Sequence, residues 1–304
     1  MKISYEELKE IIKQVLIKNG VDSNDADIMA TVHADSTLKG VNSHGVNRIP
    51  RLVDFIKDGL INTKGVMTLV NKFGNVENYD GQMGFGVINA LKACDRVTEI
   101  AKEFGIGLLS LKNTSHWMRA GTYTEKIADK GMIGLIWTNT ESIMPLWGSD
   151  QINLGNNPIS ISIPSESGNV VLDMALSQYS YGKLETVKLS GEKLPFVGGY
   201  NKYGKLTDNP SEIEETQRLL PIGYWKGSAL AICLDMMASI LANGRSTYDM
   251  DKENGWNCTG CSQIFIAINP LVFSTKEEIE EKISMIKKQI KEAHKINANV
   301  SIRY

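Results

Sequence analysis

The sequence predicts a mixed α/β fold, and three observations carry this prediction. Residues 1–65 favour helices throughout, whereas strand and helix patterns alternate from about residue 66 onward. The 304 residues are enough for a sizeable core and two lobes. No G-x-G-x-x-G pattern follows a strand, which argues against a dinucleotide-binding Rossmann unit of the standard form.

Two helices are predicted at the N-terminus. The first begins at a capping-box pattern at Ser4 and ends at Gly20, with an apolar stripe between them. The second is capped by Asp22 or Ser23 and ends near Gly40.

The start of a third helix is ambiguous. Ser43 as the cap places Pro50 inside the helix and predicts a kink, whereas Asn47 as the cap places Pro50 in the first turn, where proline is tolerated. In either case His44 and Arg48, four residues apart, lie at a helix N-terminal end, which favours an anion.

The remaining elements follow from residue 66 onward. Helices are predicted over 87–104, 122–130, 226–243 and 274–295. Strands are predicted over 106–111, 132–137, 159–163, 170–174 and 263–268. No repeat or low-complexity linker marks a domain boundary.

Composition limits the function classes. A net charge of -2 gives no field that would attract nucleic acid or a membrane surface. The first twenty residues alternate charged and apolar side chains, unlike a signal peptide. No apolar run approaches the roughly 20 residues of a membrane span. These features predict a cytoplasmic protein.

The cysteines give no sign of a metal centre. Cys94 and Cys233 lie in apolar helical patterns, which predicts reduced core residues. Cys258 and Cys261 form a C-x-x-C pattern without a second ligand pair, which favours a loop feature over a redox or metal role. The four histidines are too scattered for a metal site.

The segment around His44 carries chemistry of its own. A guanidinium such as that of Arg48 holds a carboxylate in a bidentate fork. A histidine exchanges a proton with a carbonyl oxygen near neutral pH. Together they suit a carbonyl compound that bears a carboxylate, although a capped helix start with a surface histidine and arginine would give the same spacing.

Three further segments have a functional and a structural interpretation. Residues 113–121 follow a strand and place His116 and an indole in a loop, which is either a pocket or a loop anchored by a buried tryptophan. Residues 154–158 form a tight turn that either cradles an anion or only turns the chain. Trp225 and Lys226 open an apolar helix and suit a nucleotide ring and phosphate, or else an aromatic anchor beside a solvated lysine.

Several motifs in this order resemble the malate/L-lactate dehydrogenase family, which lacks a Rossmann fold. The resemblance runs along the whole chain. It is carried by SHGVNR at 43–48, SHWMRAG at 115–121, GLIWTN at 134–139, MPLWG at 144–148, LGNNP at 154–158, SYGKLE at 180–185, LPIGYWKGS at 220–228 and SQIFIAI at 262–268. It implies reduction of a small 2-oxo acid, or oxidation of the matching 2-hydroxy acid, with NAD(H) or NADP(H).

The resemblance also implies residue roles. His44 matches the general acid, Ser43 and Arg48 match residues that hold the substrate carboxylate, and His116 matches a further pocket residue. The implied cofactor contacts are Asn169, Val170, Val171, Leu172, Asp173, Met174, Ala175, Trp225 and Lys226.

The implied architecture is a helical domain packed on a non-Rossmann NAD(P)-binding domain with a mixed sheet. Residues 1–65, joined by the C-terminal helix of 274–304, form the first, and residues 66–273 the second. The family pattern implies a homodimer and a further segment after Tyr304 that contacts the cofactor, so we expect weakened dinucleotide affinity. The alternatives are a sibling specificity (malate, lactate, sulfolactate, ureidoglycolate or a cyclic imino acid) and a non-catalytic ligand-binding protein.

Overall fold

The computed structural model of the chain describes residues 3–254 and 257–293. The helices are α1 (Tyr5–Lys18), α2 (Ser23–Leu38), α3 (Ile49–Lys57), α4 (Gly86–Phe104), α5 (Gly121–Ala128), α6 (Tyr181–Leu189), α7 (Pro210–Thr216), α8 (Trp225–Ala242), α9 (Thr247–Asn254) and α10 (Lys276–Lys291). The strands are β1 (Thr68–Phe73), β2 (Val76–Gly84), β3 (Ile106–Ser115), β4 (Ile133–Thr138), β5 (Met144–Pro145), β6 (Ile152–Leu154), β7 (Ile159–Ile163), β8 (Val170–Met174), β9 (Gly199–Tyr200), β10 (Leu206–Thr207) and β11 (Thr259–Ile268).

The main sheet of the described residues is mixed, as the family resemblance implied. Its seven strands lie in the order β1-β2-β3-β11-β4-β7-β8, and only the β2–β3 pair is parallel. Both β3 and β4 pair antiparallel with β11, so they run in the same direction on either side of it. Their carboxyl ends therefore meet at one edge of the sheet, where binding residues are commonly found.

Strand β11 separates two hydrophobic cores. Side chains alternate across a strand, so Phe265 and Ala267 face α4 and α5, whereas Ile264 faces the opposite core with Leu234 of α8. Burial on both faces explains why the second half of this strand, residues 264–268, is a continuous apolar run.

The N-terminal helices form a third core on the start of α4. Ser4 caps α1 by accepting a hydrogen bond from the Glu7 N–H at 3.2 Å. Asp22, one of the two predicted caps of α2, accepts from the Asn24 N–H at 2.8 Å. Apolar side chains of α1, α2 and α3 pack against Phe85, Ile88 and Met118, among others. The helical region is thereby fixed to the sheet domain.

The segment that carries His44 differs from the prediction. Residues 42–44 and 46–48 form two separate 3-10 turns, and α3 begins only at Ile49. Pro50 lies in the first turn of α3. The N-cap position is occupied by Arg48, not by Ser43 or Asn47, the two predicted caps. His44 and Arg48 therefore lie in two separate turns that precede α3, and Arg48 alone takes the predicted place at the helix N-terminal end.

The break between the two turns has a steric cause at Gly45. A Cβ atom there would lie 2.2 Å from Thr37 Oγ1, so the backbone of Gly45 is pressed against α2. The same Thr37 hydroxyl accepts the N–H of Val46 at 2.9 Å. This contact with α2 holds the chain out of a continuous helix.

Prediction succeeded for some elements and missed others. Strands β7 and β8 have the predicted bounds, whereas β1, β2, α6, α7 and α9 were not predicted. Residues 294–304, which include the end of the predicted helix 274–295, lie outside the described residues. The division into domains 1–65 with 274–304 and 66–273 stays a prediction.

The polar contacts of α10 are made with the turn between β7 and β8. Lys287 Nζ donates to Ser167 Oγ at 2.9 Å and to the carbonyl oxygen of Gly168 at 2.7 Å. The backbone N–H of Glu166 donates to Glu280 Oε1 at 3.0 Å.

Helix α8 is apolar on both its packed and its open side. Over its 18 residues the mean hydropathy is 1.3 and 33% of the window is buried; by length and composition alone, it is the one described helix that would suffice to cross a membrane. A helix covering a sheet passes the same test, and α8 packs on β11 and β3. Cys233 lies on the open side and is exposed, so its predicted core position is wrong.

Candidate active site

A cavity of about 200 Å³ lies at the edge where β3 and β4 end. The two 3-10 turns that precede α3 and the start of α6 bound its other sides. Its lining includes Ser43, His44, Arg48, Arg51, His116, Thr140, Glu141, Asn156, Ser177 and Tyr181. The structure thus brings together the four residues for which the sequence predicted an acid or substrate role.

A buried histidine of α2 positions His44. His33 is fully buried, and its Nδ1 lies 3.1 Å from the carbonyl oxygen of Gly45. A carbonyl oxygen only accepts, so Nδ1 of His33 carries the proton. This bond and the Thr37 contacts fix the backbone on the C-terminal side of His44.

The rings of His44 and His116 face the same space, with centroids 5.5 Å apart. His44 Nδ1 lies 3.1 Å from Ser43 Oγ. His116 Nδ1 accepts the N–H of Met118 at 2.9 Å, which leaves the proton of a neutral ring on Nε2. His116 itself is held by its backbone N–H, which donates to the Cys258 carbonyl at 3.0 Å.

Both imidazoles are neutral beside a permanent cation. Burial, and then the positive charge of Arg48, lower the pKa of His44 to about 4. The same two causes hold the pKa of His116 well below 6.5. Burial also lowers the pKa of Arg48, but a guanidinium stays charged in proteins. The predicted titration of His44 near neutral pH therefore needs a negative charge beside Arg48.

Several residues of the cavity wall were not predicted from the sequence. Thr140 and Glu141 follow the end of β4, a position that could have drawn attention to them. Glu141 Oε1 lies 3.6 Å from Arg51 Nη2, and Arg51 follows Arg48 by one helical turn. No local signal marks Ser177, whose buried hydroxyl has no hydrogen-bond partner among the described residues.

The turn at 154–158 supports the loop after β4 through hydrogen bonds. Asn157 Oδ1 accepts the N–H of Thr140 at 3.0 Å, and its Nδ2 donates to the carbonyl oxygen of Ala231 in α8 at 2.9 Å. Asn156 Oδ1 accepts from the Thr140 hydroxyl at 3.2 Å. Two asparagines thus hold the loop after β4 in place, which fits the structural interpretation of this turn better than an anion cradle.

Trp117 is an anchor of the His116 loop. Its side chain is 1% exposed, stacks on Tyr123 at 5.7 Å and meets Phe265 edge-on at 5.6 Å. The Tyr123 hydroxyl also donates to the Trp117 carbonyl oxygen. The indole is therefore unavailable to a ligand, and its burial fixes the loop that carries His116.

The predicted cofactor residues do not line this cavity. Asp173 in β8 accepts the Gly121 N–H at 2.9 Å and pairs with Arg119 at 3.4 Å, so its carboxylate is already engaged. Asn169 donates to Asp129 Oδ1 at 2.7 Å. On β8, a sheet edge among the described residues, Val170 and Leu172 are exposed.

The start of α8 offers the donors that a dinucleotide needs. Trp225 is 62% exposed, so it is not the aromatic core anchor that was the alternative. Lys226 is exposed at the N-terminus of α8, which no side chain caps, and a lysine at the positive end of a helix suits phosphate. An exposed indole suits an aromatic ring. The exposed Trp225 and Lys226 therefore fit a dinucleotide. The cofactor roles of residues 169–175 stay predictions, and Asn169 and Asp173 also make contacts within the fold.

The C-x-x-C pattern spans the start of β11: Cys258 lies in the preceding loop, as predicted, whereas Cys261 lies in the strand. Cys258 and Cys261 are both buried, and their sulfur atoms lie 3.3 Å apart as free thiols. The hydrogen bond with Cys261 and burial keep the pKa of the Cys258 thiol well above 9, so the thiol stays protonated at neutral pH.

Comparisons of sequence and of structure with known proteins point to the same family. Residues 3–304 match the sequence profile of the malate/L-lactate dehydrogenase family. The 2,3-diketo-L-gulonate reductase of Klebsiella pneumoniae (strain 342) is 42% identical over 303 residues, covering 100% of this chain and 91% of that protein. The solved sulfolactate dehydrogenase from Methanocaldococcus jannaschii is 32% identical at a TM-score of 0.87, covering 98% of this chain and 86% of that one. The malate dehydrogenase from Pyrococcus horikoshii OT3 is 29% identical at 0.89, covering 100% and 85%.

Proposed function

Because the chain belongs to the malate/L-lactate dehydrogenase family and is an oxidoreductase, we propose that it reduces 2,3-diketo-L-gulonate to 3-dehydro-L-gulonate with NADH or NADPH. The substrate is that of the 2,3-diketo-L-gulonate reductases, which are 41–42% identical to this chain over its whole length. The observation that carries the proposal is the grouping of His44, His116 and the Arg48 guanidinium around one cavity of small-acid size.

In this proposal Arg48 binds the substrate carboxylate and His44 protonates the carbonyl oxygen. The substrate carboxylate beside Arg48 offsets the positive charge that lowers the pKa of His44. Substrate binding therefore raises the pKa of His44 and favours its protonated form. The Ser43 hydroxyl accepts from the protonated Nδ1, which leaves Nε2 to deliver the proton.

His116 supports the same step from a position beside His44, with ring centroids 5.5 Å apart. Its Nε2–H is free to donate to a substrate oxygen, because Nδ1 already accepts from Met118. When bound, the nicotinamide supplies the hydride. Trp225 and Lys226 would hold the dinucleotide through its ring and phosphates.

The proposal includes a cytoplasmic homodimer. Along the open side of α8 runs a stripe of exposed, mostly apolar residues: Ala229, Leu230, Cys233, Met236, Met237, Ile240 and Leu241. The hairpin of β1 and β2 continues this surface with Val70, Phe73 and Val76. An exposed apolar patch of this kind is typical of a subunit contact.

The test is a spectrophotometric assay of NADH and NADPH oxidation. We expect absorbance to decay when 2,3-diketo-L-gulonate is added, and His44→Asn to abolish turnover while calorimetry still detects dinucleotide binding. No decay with any 2-oxo acid would remove the proposal. Undiminished rates in His44→Asn would show that another residue protonates the carbonyl oxygen.

A further inference from the structure

We propose that Glu141, paired with Arg51, makes the cavity selective for a singly charged, hydroxylated 2-oxo acid over a dicarboxylate. This inference rests on the proposed function, because it concerns the substrate class of the same site. It assigns a specificity role to two residues of the cavity wall beyond the acid and the carboxylate clamp.

The position of Glu141 suggests a role toward a ligand. Its side chain is only 10% exposed, yet it lines the cavity that also holds His44 and Arg48. Its Oε1 lies 3.6 Å from Arg51 Nη2, longer than a close charge-assisted hydrogen bond. A carboxylate taken out of water in this way needs positive charge or hydrogen-bond donors nearby.

The charges of the cavity wall favour one negative charge on the ligand. Arg48 and Arg51 contribute two positive charges and Glu141 one negative charge, so a single substrate carboxylate completes the balance. Arg51 is further held by its guanidinium, which lies over the Phe55 ring at 5.1 Å. A second substrate carboxylate near Arg51 would meet the largely buried Glu141 carboxylate at short range, and two like charges at short range repel.

The remaining polar groups suit substrate hydroxyls. An ionised carboxylate is an acceptor only, so Glu141 can accept hydrogen bonds from hydroxyl groups of a sugar acid. The Ser177 hydroxyl also lines the cavity, is buried, and has no hydrogen-bond partner among the described residues. A buried hydroxyl without a partner is costly unless a ligand completes it. Both groups therefore match a polyhydroxylated chain.

A purely structural role for Glu141 makes a different prediction. If the carboxylate only stabilised the loop after β4, its loss would lower stability and slow every substrate alike. If it sets the charge of the cavity, its loss changes the ratio between substrates of different charge. The ratio therefore separates the two roles.

The experiment compares kcat/KM for 2,3-diketo-L-gulonate, a monoanion, with that for oxaloacetate, a dianion. The nearly isosteric variant Glu141→Gln should shift the ratio toward oxaloacetate by about tenfold or more, one order of magnitude being a modest electrostatic difference. Glu192→Gln removes the same charge from an exposed residue outside the cavity lining and should leave the ratio unchanged. Arg51→Gln should lower kcat/KM for both acids.

An unchanged ratio in a folded Glu141→Gln would overturn the inference while leaving the proposed function in place. If the wild-type protein turned over neither acid, the proposed function would fail. The charge rule, meaning the preference of the cavity for a singly charged acid because of Glu141, would then be tested by binding. In that case thermal stabilisation by L-gulonate and by malate is compared in both proteins. Preferential stabilisation of the wild type by L-gulonate, weakened in Glu141→Gln, supports the rule, and equal behaviour contradicts it.

Discussion

His33 Nδ1 lies 3.1 Å from the carbonyl oxygen of Gly45, so a fully buried histidine of α2 holds the backbone beside His44. Its Nε2 has no partner among the described residues, and this single bond therefore offsets only part of the cost of burying the ring. A polar side chain is retained here although an apolar one would pack. We infer that its role is to position the loop that carries the acid.

We expect His33→Leu to lower activity and stability together. It leaves the Gly45 carbonyl without a donor, which should reduce the free energy of unfolding by about 1–3 kcal/mol. Displacement of His44 should lower kcat/KM roughly ten- to a hundredfold. His33→Asn is the matched control, because its amide can donate from nearly the position of Nδ1, and it should retain most of the activity. Wild-type kcat/KM in His33→Leu would show that α2 does not position the acid.

Stability should fall as the pH is lowered from 6.5 toward 4. Burial lowers the pKa of His33 from 6.5 to about 4 in the folded protein. Between these values the unfolded chain binds a proton that the folded chain does not, so the stabilisation is complete above pH 6.5 and is lost on acidification. The shift corresponds to on the order of 3 kcal/mol for this one residue.

Urea unfolding at pH 7.5 and pH 5 measures this effect. His33→Asn, which does not titrate in this range, should show a smaller loss of unfolding free energy between the two pH values. Because burial also lowers the pKa values of His44 and His116, part of the acid sensitivity should remain in the variant. An equal loss in both proteins would mean that His33 is already charged in the fold.

The sequence alone predicted the local features of this molecule well. Strands β7 and β8 have the predicted bounds, because alternating and β-branched residues are a local signal. Gly105 and Gly131, both at positive φ, follow α4 and α5, close to the helix ends that were predicted at residues 104 and 130. Information of this kind resides in a few neighbouring residues.

The missed features depend on contacts between distant segments. Gly45 breaks the expected helix because Thr37 in α2 occupies the space, a contact that no local pattern contains. Glu141 reaches the cavity only because β4 ends beside β11, and Ser177 only because the chain after β8 returns to the same edge. The sequence predicted the acid and its clamp by resemblance, whereas the residues of the surrounding wall follow from sheet topology.

The pH dependence of the two kinetic constants should differ. For reduction, kcat/KM reports the enzyme before the 2-oxo acid substrate binds, and in this state the pKa of His44 is about 4. The value of kcat/KM should therefore fall about tenfold for each unit by which the pH is raised between pH 5 and 8. By contrast, kcat reports the complex, in which a carboxylate offsets the Arg48 charge and raises that pKa, so it should stay level to a higher pH. Both are measured at saturating dinucleotide.

The physical cause can be tested by NMR titration of the His44 ring. Arg48→Gln removes the neighbouring positive charge and should raise the pKa of His44, although burial keeps it below 6.5. Lys183→Gln, an exposed residue at the start of α6, is the control and should have little effect on that pKa. If Arg48→Gln leaves the pKa unchanged, the coupling that loads the acid on substrate binding is absent.

The exposed stripe of α8 should hold two copies of the chain together. Met237→Glu and Ile240→Glu place a carboxylate in the centre of this apolar surface, and burying it in a subunit contact would be strongly unfavourable. We expect light scattering after size exclusion to give a dimer for the wild type and a monomer for either variant. Tyr248→Glu changes a residue that is 72% exposed on α9, outside the stripe, and should stay dimeric.

Alkylation of Cys233 gives an independent readout, because its thiol lies in the stripe and should react faster in the monomeric variants than in the wild type. A wild-type monomer, or equal Cys233 reactivity throughout, would show that α8 does not form the subunit contact.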